Sequence, residues 1–307
     1  MLICYRTTCE IRFQEYLPHI FYRMKVIEYG KQNEETIVLL HGGGLSWWNY
    51  RSEAELLCDR FHVVLPFLDG HGDSDAEFVS IEKNADRIIA LIDSRFKGGV
   101  FLIGGLSLGG QILLEILSKR ADICSYAIIE SAAVIPSPMT NVLIKPSFAT
   151  GYGLMKKKWF AKKQFQYLHI RDELFEDYFR DTPKVSKRSM IAFLKASTDY
   201  KAKPGLKKSR AKVRIVVGGK EKQSMLRSAK RIREMIPDSS LEIKDGLYHG
   251  EYSLNQPVEY AAELLRFCGM EDQRNARTAG YFYSPQGVYR TADGSLKKGQ
   301  YPSGNGR

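Results

Sequence analysis

Val100-Phe-Leu-Ile-Gly-Gly-Leu-Ser-Leu-Gly-Gly110 is the stretch on which the reading of this chain turns. An apolar run with strand character passes without a spacer into a helical pattern. Ser107 stands at the junction, with Gly105 and Gly109 two residues to either side. A turn this sharp leaves no room for side chains where strand and helix come close, so glycine suits both flanks. It also holds the serine in a strained backbone conformation with its hydroxyl exposed. Ser107 is the candidate nucleophile, and a structural serine in a glycine-rich turn is the competing reading.

On either side of this stretch, short β-branched and aliphatic runs alternate with amphipathic stretches. The expected strands are Lys25–Tyr29, Thr36–Leu40, His62–Leu68, Val100–Gly104, Tyr126–Ile129, Val213–Val217 and Leu241–Lys244. They are continuous apolar runs, as expected of a mostly parallel sheet covered by helices on both faces. Helices are expected where apolar residues recur every three or four positions: Ile81, Ala85, Ile88 and Ile92; Ile112 and Ile116; Ala229, Ile232 and Ile236. A further helix opens near Pro257, where proline costs no hydrogen bond, and runs through Ala261, Leu264 and Leu265. The fold class is α/β, doubly wound.

From 132 to 208 the alternation stops, and the segment is too long for a simple connection. It reads as a helical lid inserted into a core of 21–131 and 209–269. Its aromatics, among them Trp159, Phe160, Phe165, Tyr167, Phe175, Tyr178, Phe179 and Phe193, are expected to form its own core, with pocket lining as the alternative. Residues 1–20 read as an N-terminal extension and 270–307 as a disordered tail.

The composition, 44% hydrophobic and 26% charged, excludes a wholly disordered chain. The net charge of +11 is concentrated in Gly151 to Arg210, with 16 Lys/Arg against 6 Asp/Glu. A solvated helical face is the plainest explanation; anionic lipid, nucleic acid or an acidic substrate are the alternatives, and no nucleic-acid partner is expected. Five cysteines without paired or metal-type spacing point to a reducing, cytoplasmic setting, and no stretch is long and apolar enough to span a membrane. No metal cluster is seen, and Gly42 to Gly44 lacks the Lys and Ser/Thr of a phosphate loop, so no cofactor is expected.

Just after the second expected strand, His41-Gly42-Gly43-Gly44 offers flexible backbone whose N–H groups can turn toward a developing negative charge. Gly43, together with the N–H of Leu108, is the candidate oxyanion hole. His41 is read as a structural anchor of that loop and not as a base.

Leu39-Leu-His-Gly-Gly-Gly44, Asp69-Gly-His-Gly-Asp-Ser74, Gly105-Leu-Ser-Leu-Gly109 and a late histidine stand in the order and approximate spacing of the α/β-hydrolase superfamily. From Phe21 to Gly269 the chain resembles its lid-bearing group of carboxylesterases, monoglyceride lipases, proline iminopeptidases and carbon–carbon bond hydrolases. That resemblance implies an α/β-hydrolase fold in which Asp69 to Ser74 is a structural turn. It also implies a base after the last strand and an acid after the strand before it. His249, in Leu241-Glu-Ile-Lys-Asp-Gly-Leu-Tyr-His249, is the expected base. The acid maps onto Glu221 in Gly218-Gly-Lys-Glu221, where the family usually has aspartate; Glu130 and then Asp245 remain rivals.

The implied activity is hydrolysis of a carboxylic ester of a small to medium apolar acyl substrate through an acyl-enzyme. Trp47 and Trp48, which follow the oxyanion loop, either line such a site or seat the lid. An amide, thioester or carbon–carbon bond is the alternative target, and a binding protein that has lost turnover is the alternative class. The oligomeric state is left open.

Overall fold

The computed structural model of the protein describes residues 24–270 and two short stretches, 288–290 and 296–298. Seven strands, β1 (Val26–Tyr29), β2 (Thr36–Leu40), β3 (His62–Pro66), β4 (Val100–Leu106), β5 (Cys124–Glu130), β6 (Lys212–Gly218) and β7 (Ser239–Lys244), form one sheet in the order β1-β3-β2-β4-β5-β6-β7. Only β1 is antiparallel to its neighbour; the other pairs are parallel. Strands β2 and β3 are buried along their whole length, as their largely apolar sequences require, whereas β1 and β7 at the sheet edges are only partly covered.

The helices between strands follow the apolar periodicities. Helix α1 (Arg51–Leu57), which the sequence reading did not anticipate, buries Ala54 and Leu57 between β2 and β3 in chain order. In α2 (Ile81–Arg95) Ile81, Ala85, Ile88 and Ile92 face the core, and the Ser80 side chain caps the helix by accepting from Lys83 N–H. Helix α3 (Leu108–Lys119) starts directly behind Ser107 and is buried over nearly its whole circumference, which accounts for its Leu- and Ile-rich sequence.

The inserted segment holds α4 (Pro138–Gly151), α5 (Lys158–Tyr167), α6 (Phe175–Asp181) and α7 (Lys187–Asp199), linked by short 3₁₀ turns. It is tied to loops that leave the carboxyl ends of the strands. Asp181 Oδ2 accepts from Trp48 Nε1 (3.1 Å), Thr182 Oγ1 donates to Gly44 O (3.1 Å), and Phe78 N donates to Ser189 Oγ (3.0 Å). Phe165, Tyr178 and Phe193 are buried as expected of a core, but Trp159 and Tyr167 are exposed, contrary to that expectation. After β6 come α8 (Gln223–Met235) and, beyond β7, α9 (Glu251–Asn255). Among the described residues no helix is long and apolar enough to cross a membrane.

A second compact unit begins at Ala262. It contains most of α10 (Pro257–Phe267) and an antiparallel pair of strands, β8 (Val288–Arg290) and β9 (Leu296–Lys298), inside the segment expected to lack structure. The expected extension 1–20 and the rest of the tail lie outside the described residues.

Candidate active site

The site follows from strand order and register. From β2 the chain turns to β3 on one side, and from β4 it proceeds to β5 on the other, so a crevice opens between the carboxyl ends of β2 and β4. Leu40 lies opposite Gly105, and Leu106 opposite Glu130, which in turn lies opposite Val216. The glycine loop, Ser107, Ser131 and the turn after β6 therefore emerge along one edge of the sheet.

Ser107 has φ 52° and ψ −108°, a region that L-residues avoid, and holds it between a strand bond (Ser107 N to Glu130 O, 2.8 Å) and a helix bond (Gln111 N to Ser107 O, 2.9 Å). Both flanking glycines are required by close approach. A Cβ on Gly105 would lie 2.5 Å from the Gly109 backbone, and one on Gly109 would run into the carbonyl of Leu40. Because that obstacle is backbone of a central strand, Gly109→Ala should destabilise the fold by on the order of 3 kcal/mol, read as a lower urea midpoint. Wild-type stability would show that the strand–helix crossing is looser than the geometry requires.

His249 Nε2 is 3.0 Å from Ser107 Oγ, and His249 Nδ1 is 2.7 Å from Glu221 Oε2. The other oxygen of Glu221 accepts from Ser131 Oγ (2.6 Å) and Gly218 N (2.9 Å), so both carboxylate oxygens are engaged. Burial by itself would raise the Glu221 pKa, but the hydrogen bonds from His249, Ser131 and Gly218 prevail and hold it below the usual carboxylate range. For His249 the loss of hydration pulls downward, and the bond and charge of Glu221 more than offset it, so the ring is more basic than a free imidazole. The His249 side chain is 47% exposed, so the ring is reached by solvent.

The rival acids are held by other partners. Glu130 is buried; its Oε1 accepts from Ser253 N (3.2 Å) at the start of α9, and burial, with the Glu221 charge adding, pushes its pKa up to about 7. Asp245 is exposed beside Gly219. Among the described residues neither hydrogen-bonds His249.

Gly43 is packed between Leu108 and Phe193, since a Cβ there would lie 3.5 Å from Leu108 Cβ and 2.8 Å from Phe193 Cε2. The Leu108 amide, directly after Ser107, is the first of α3 and has no intrahelical partner, and the other candidate oxyanion donor, Gly43, approaches Leu108. Asn49 Oδ1 holds the Gly42 amide (3.1 Å), and Trp48 is buried on Asp181, so this tryptophan seats the insertion. Sequence reasoning missed Ser131, whose partner Glu221 is distant in the chain, and Asn49, whose side chain reaches back to the Gly42 amide; Phe193 was read only as one of the insertion's aromatics. The one available signal was that Ser131 directly follows a strand end facing the nucleophile.

His41 is fully buried, with Nδ1 donating to Gly42 O (2.9 Å) and Nε2 accepting from Leu68 N (3.2 Å), which fixes a neutral tautomer. Burial first, and His71 nearby, push its pKa down to about 3; burial pushes that of His71 down to about 4. Folded pKa values below the unfolded value of about 6.5 mean that acid favours the unfolded chain. The contribution of these two rings should be complete above pH ~7 and fall as pH drops below ~6.5, by up to roughly 1.4 kcal/mol per pH unit for each, while the buried Glu130, raised to about 7, contributes in the opposite sense over the same range. An NMR titration of the His41 and His71 ring resonances would check this, and rings that take up their protons near the ordinary imidazole value of ~6.5 would contradict buried neutral imidazoles.

Other clusters do not compete for the site. A surface cavity of about 760 Å³ lined by Lys201, Lys207, Arg227 and Lys230 includes none of Ser107, Glu221 and His249. Among the described residues no three His, Cys, Asp or Glu side chains are placed to hold a metal ion.

Comparison with known proteins agrees with this architecture. Residues 37–263 match the sequence model of the alpha/beta hydrolase family. An "AB hydrolase superfamily protein" of Gibberella zeae is 30% identical over 133 residues, which span 43% of this chain and 46% of that relative, less than half its length. Among solved structures, an esterase from Exiguobacterium antarcticum superposes with a TM-score of 0.67 at 20% identity, covering 80% of this chain and 95% of that one. A thermophilic esterase from Thermogutta terrifontis gives 0.65 at 21% identity (80% and 93%), and an enol-lactonase from Burkholderia xenovorans 0.67 at 16% (80% and 96%). At these identities the likeness is one of fold.

Proposed function

Since the chain belongs to the alpha/beta hydrolase family, we propose that it is a serine hydrolase that cleaves a carboxylic ester of a small to medium apolar acyl substrate through an acyl-enzyme. The observation that carries this reading is the line from Ser107 Oγ to His249 Nε2 (3.0 Å) and from His249 Nδ1 to Glu221 Oε2 (2.7 Å).

His249 takes the Ser107 proton as the hydroxyl oxygen attacks the ester carbonyl, and Glu221 accepts the Nδ1–H bond and stabilises the imidazolium. The carbonyl oxygen becomes an oxyanion held by the amides of Gly43 and Leu108, each donor contributing roughly 3 kcal/mol in a dry site. Collapse breaks the C–O bond to the alcohol, which leaves with the proton from His249. Water, deprotonated by the same ring, then attacks the acyl-enzyme and frees the acid together with Ser107. The apolar preference rests on the buried Phe193 against Gly43.

Labelling by a fluorophosphonate, read as intact mass, tests the nucleophile. A series of p-nitrophenyl esters of increasing chain length, with matched anilides and thioesters, tests bond and acyl preference. Labelling with turnover of anilides but not esters would replace the ester reading with an amide one, and no labelling at all would remove both.

A further inference from the structure

Between Pro138 and Leu168 the chain carries six lysines, Lys145, Lys156, Lys157, Lys158, Lys162 and Lys163, and no carboxylate. In the fold this segment is α4, the 3₁₀ turn Tyr152–Lys156 and α5. One side of α4 is spoken for: Asn141 Nδ2 donates to Lys195 O (2.9 Å) and Thr198 Oγ1 (3.0 Å) of α7, and Ile144 is buried. The opposite side is apolar as well. Met139, Val142 and Leu143, at i, i+3 and i+4, are 81%, 73% and 59% exposed. Leu154, Trp159, Tyr167 and Leu168 add exposed apolar surface farther along the segment. A helix that meets only water would carry polar residues on that side, and grouped apolar exposure of this kind marks an interaction surface.

We propose that this outward face of the insertion docks on an anionic lipid bilayer. The occupant is set by charge and by the kind of apolar residue. Among the described residues Lys158 alone of the six meets a carboxylate, Glu176 at 2.7 Å, while Lys156 and Lys163 lie over the rings of Tyr152 and Trp159. A surface with this balance attracts a negatively charged headgroup layer, and long lysine stems let the apolar stripe settle among acyl chains while the ammonium groups stay at headgroup level. Exposed Trp and Tyr suit that same interfacial depth. A second copy of the chain would bring the same uncompensated lysines against themselves, and a two-fold interface requires a self-complementary patch. The proposal stands independently of the hydrolytic reading.

Flotation of the full-length protein with vesicles of phosphatidylcholine, with and without about 30% phosphatidylserine, tests it at low and high salt. The wild-type protein should bind the anionic vesicles at least about 10-fold more tightly than the neutral ones, and less tightly as salt rises. The variant Met139→Ser/Val142→Ser/Leu143→Ser and the variant Lys156→Glu/Lys157→Glu/Lys162→Glu/Lys163→Glu should each lose about 10-fold or more in binding, with circular dichroism and thermal unfolding unchanged. No preference of the wild type for anionic vesicles would overturn the proposal. So would a serine variant that binds as tightly as wild type, since the α4 stripe would then play no part. A concentration-dependent dimer abolished by the serine variant, with no vesicle binding, would assign the face to a second copy instead.

Discussion

Ser107→Ala is expected to lose fluorophosphonate labelling completely and to lower ester turnover by up to about 10⁶-fold while the protein remains folded. The size of the effect follows from what is deleted. The Ser107 hydroxyl is the atom that would bond the acyl group, and among the described residues its only side-chain hydrogen-bond partner is His249 at 3.0 Å. No packing volume of consequence is removed, and alanine adopts the same left-handed φ of 52° at similar cost. Residual catalysis of roughly 10³-fold over water would come from the Gly43 and Leu108 amides if they bind the oxyanion. Thermal unfolding and single-turnover kinetics on a p-nitrophenyl ester check the two halves of this expectation. A variant that stays folded and keeps wild-type turnover would remove Ser107 from the reaction.

The second large effect is expected at the acid. Glu221→Gln keeps shape but presents an amide to Nδ1, which favours the wrong imidazole tautomer, and turnover should fall by up to about 10⁴-fold with little change in KM. The pH profile should move too. His249 must be neutral to accept the serine proton, so kcat/KM of the wild type should rise with pH through a pKa above the ordinary imidazole value, because Glu221 raises it. Removing that carboxylate should shift the acid limb to lower pH, a change that mere loss of packing would not produce. Glu130→Gln makes the contrast, since the amide oxygen can still accept from Ser253 N–H and turnover should change by less than about 10-fold. If Glu130→Gln were the crippling substitution and Glu221→Gln benign, the roles proposed for the two would have to be exchanged.

The legible parts of this protein were local. Each expected strand from Lys25 to Lys244 has a counterpart in the sheet, with ends within a residue or two, because strands covered on both faces, β2 to β6, must be largely apolar; the edge strands β1 and β7 are partly covered and mix apolar with charged residues. The turn at Gly105 to Gly109 was legible because an apolar strand passing straight into a helix leaves little room at the glycines that flank Ser107, although what crowds Gly109 in the fold is the distant backbone of Leu40. Helix α1 escaped notice because Arg51–Leu57 is short and buries just one side, too few turns to establish a period.

What lay beyond the sequence were the choices that depend on distant segments. Glu221, Glu130 and Asp245 each stand close to a strand end, and residue type does not rank them. The family resemblance put Glu221 first; what the fold adds is the parallel register of β5 and β6, which brings Ser131 to the oxygen of Glu221 that the local Gly218 amide also holds, while the other oxygen meets His249. The insertion behaves in the same way. Its composition determined that it would be helical, basic and aromatic, but not that Trp48 would seat it on Asp181 or that Met139, Val142 and Leu143 would face outward. Periodicity records which residues share a face of a helix. Which face meets the protein is decided by the neighbour that satisfies it, here α7 through Asn141, and that neighbour is known only once the chain has folded.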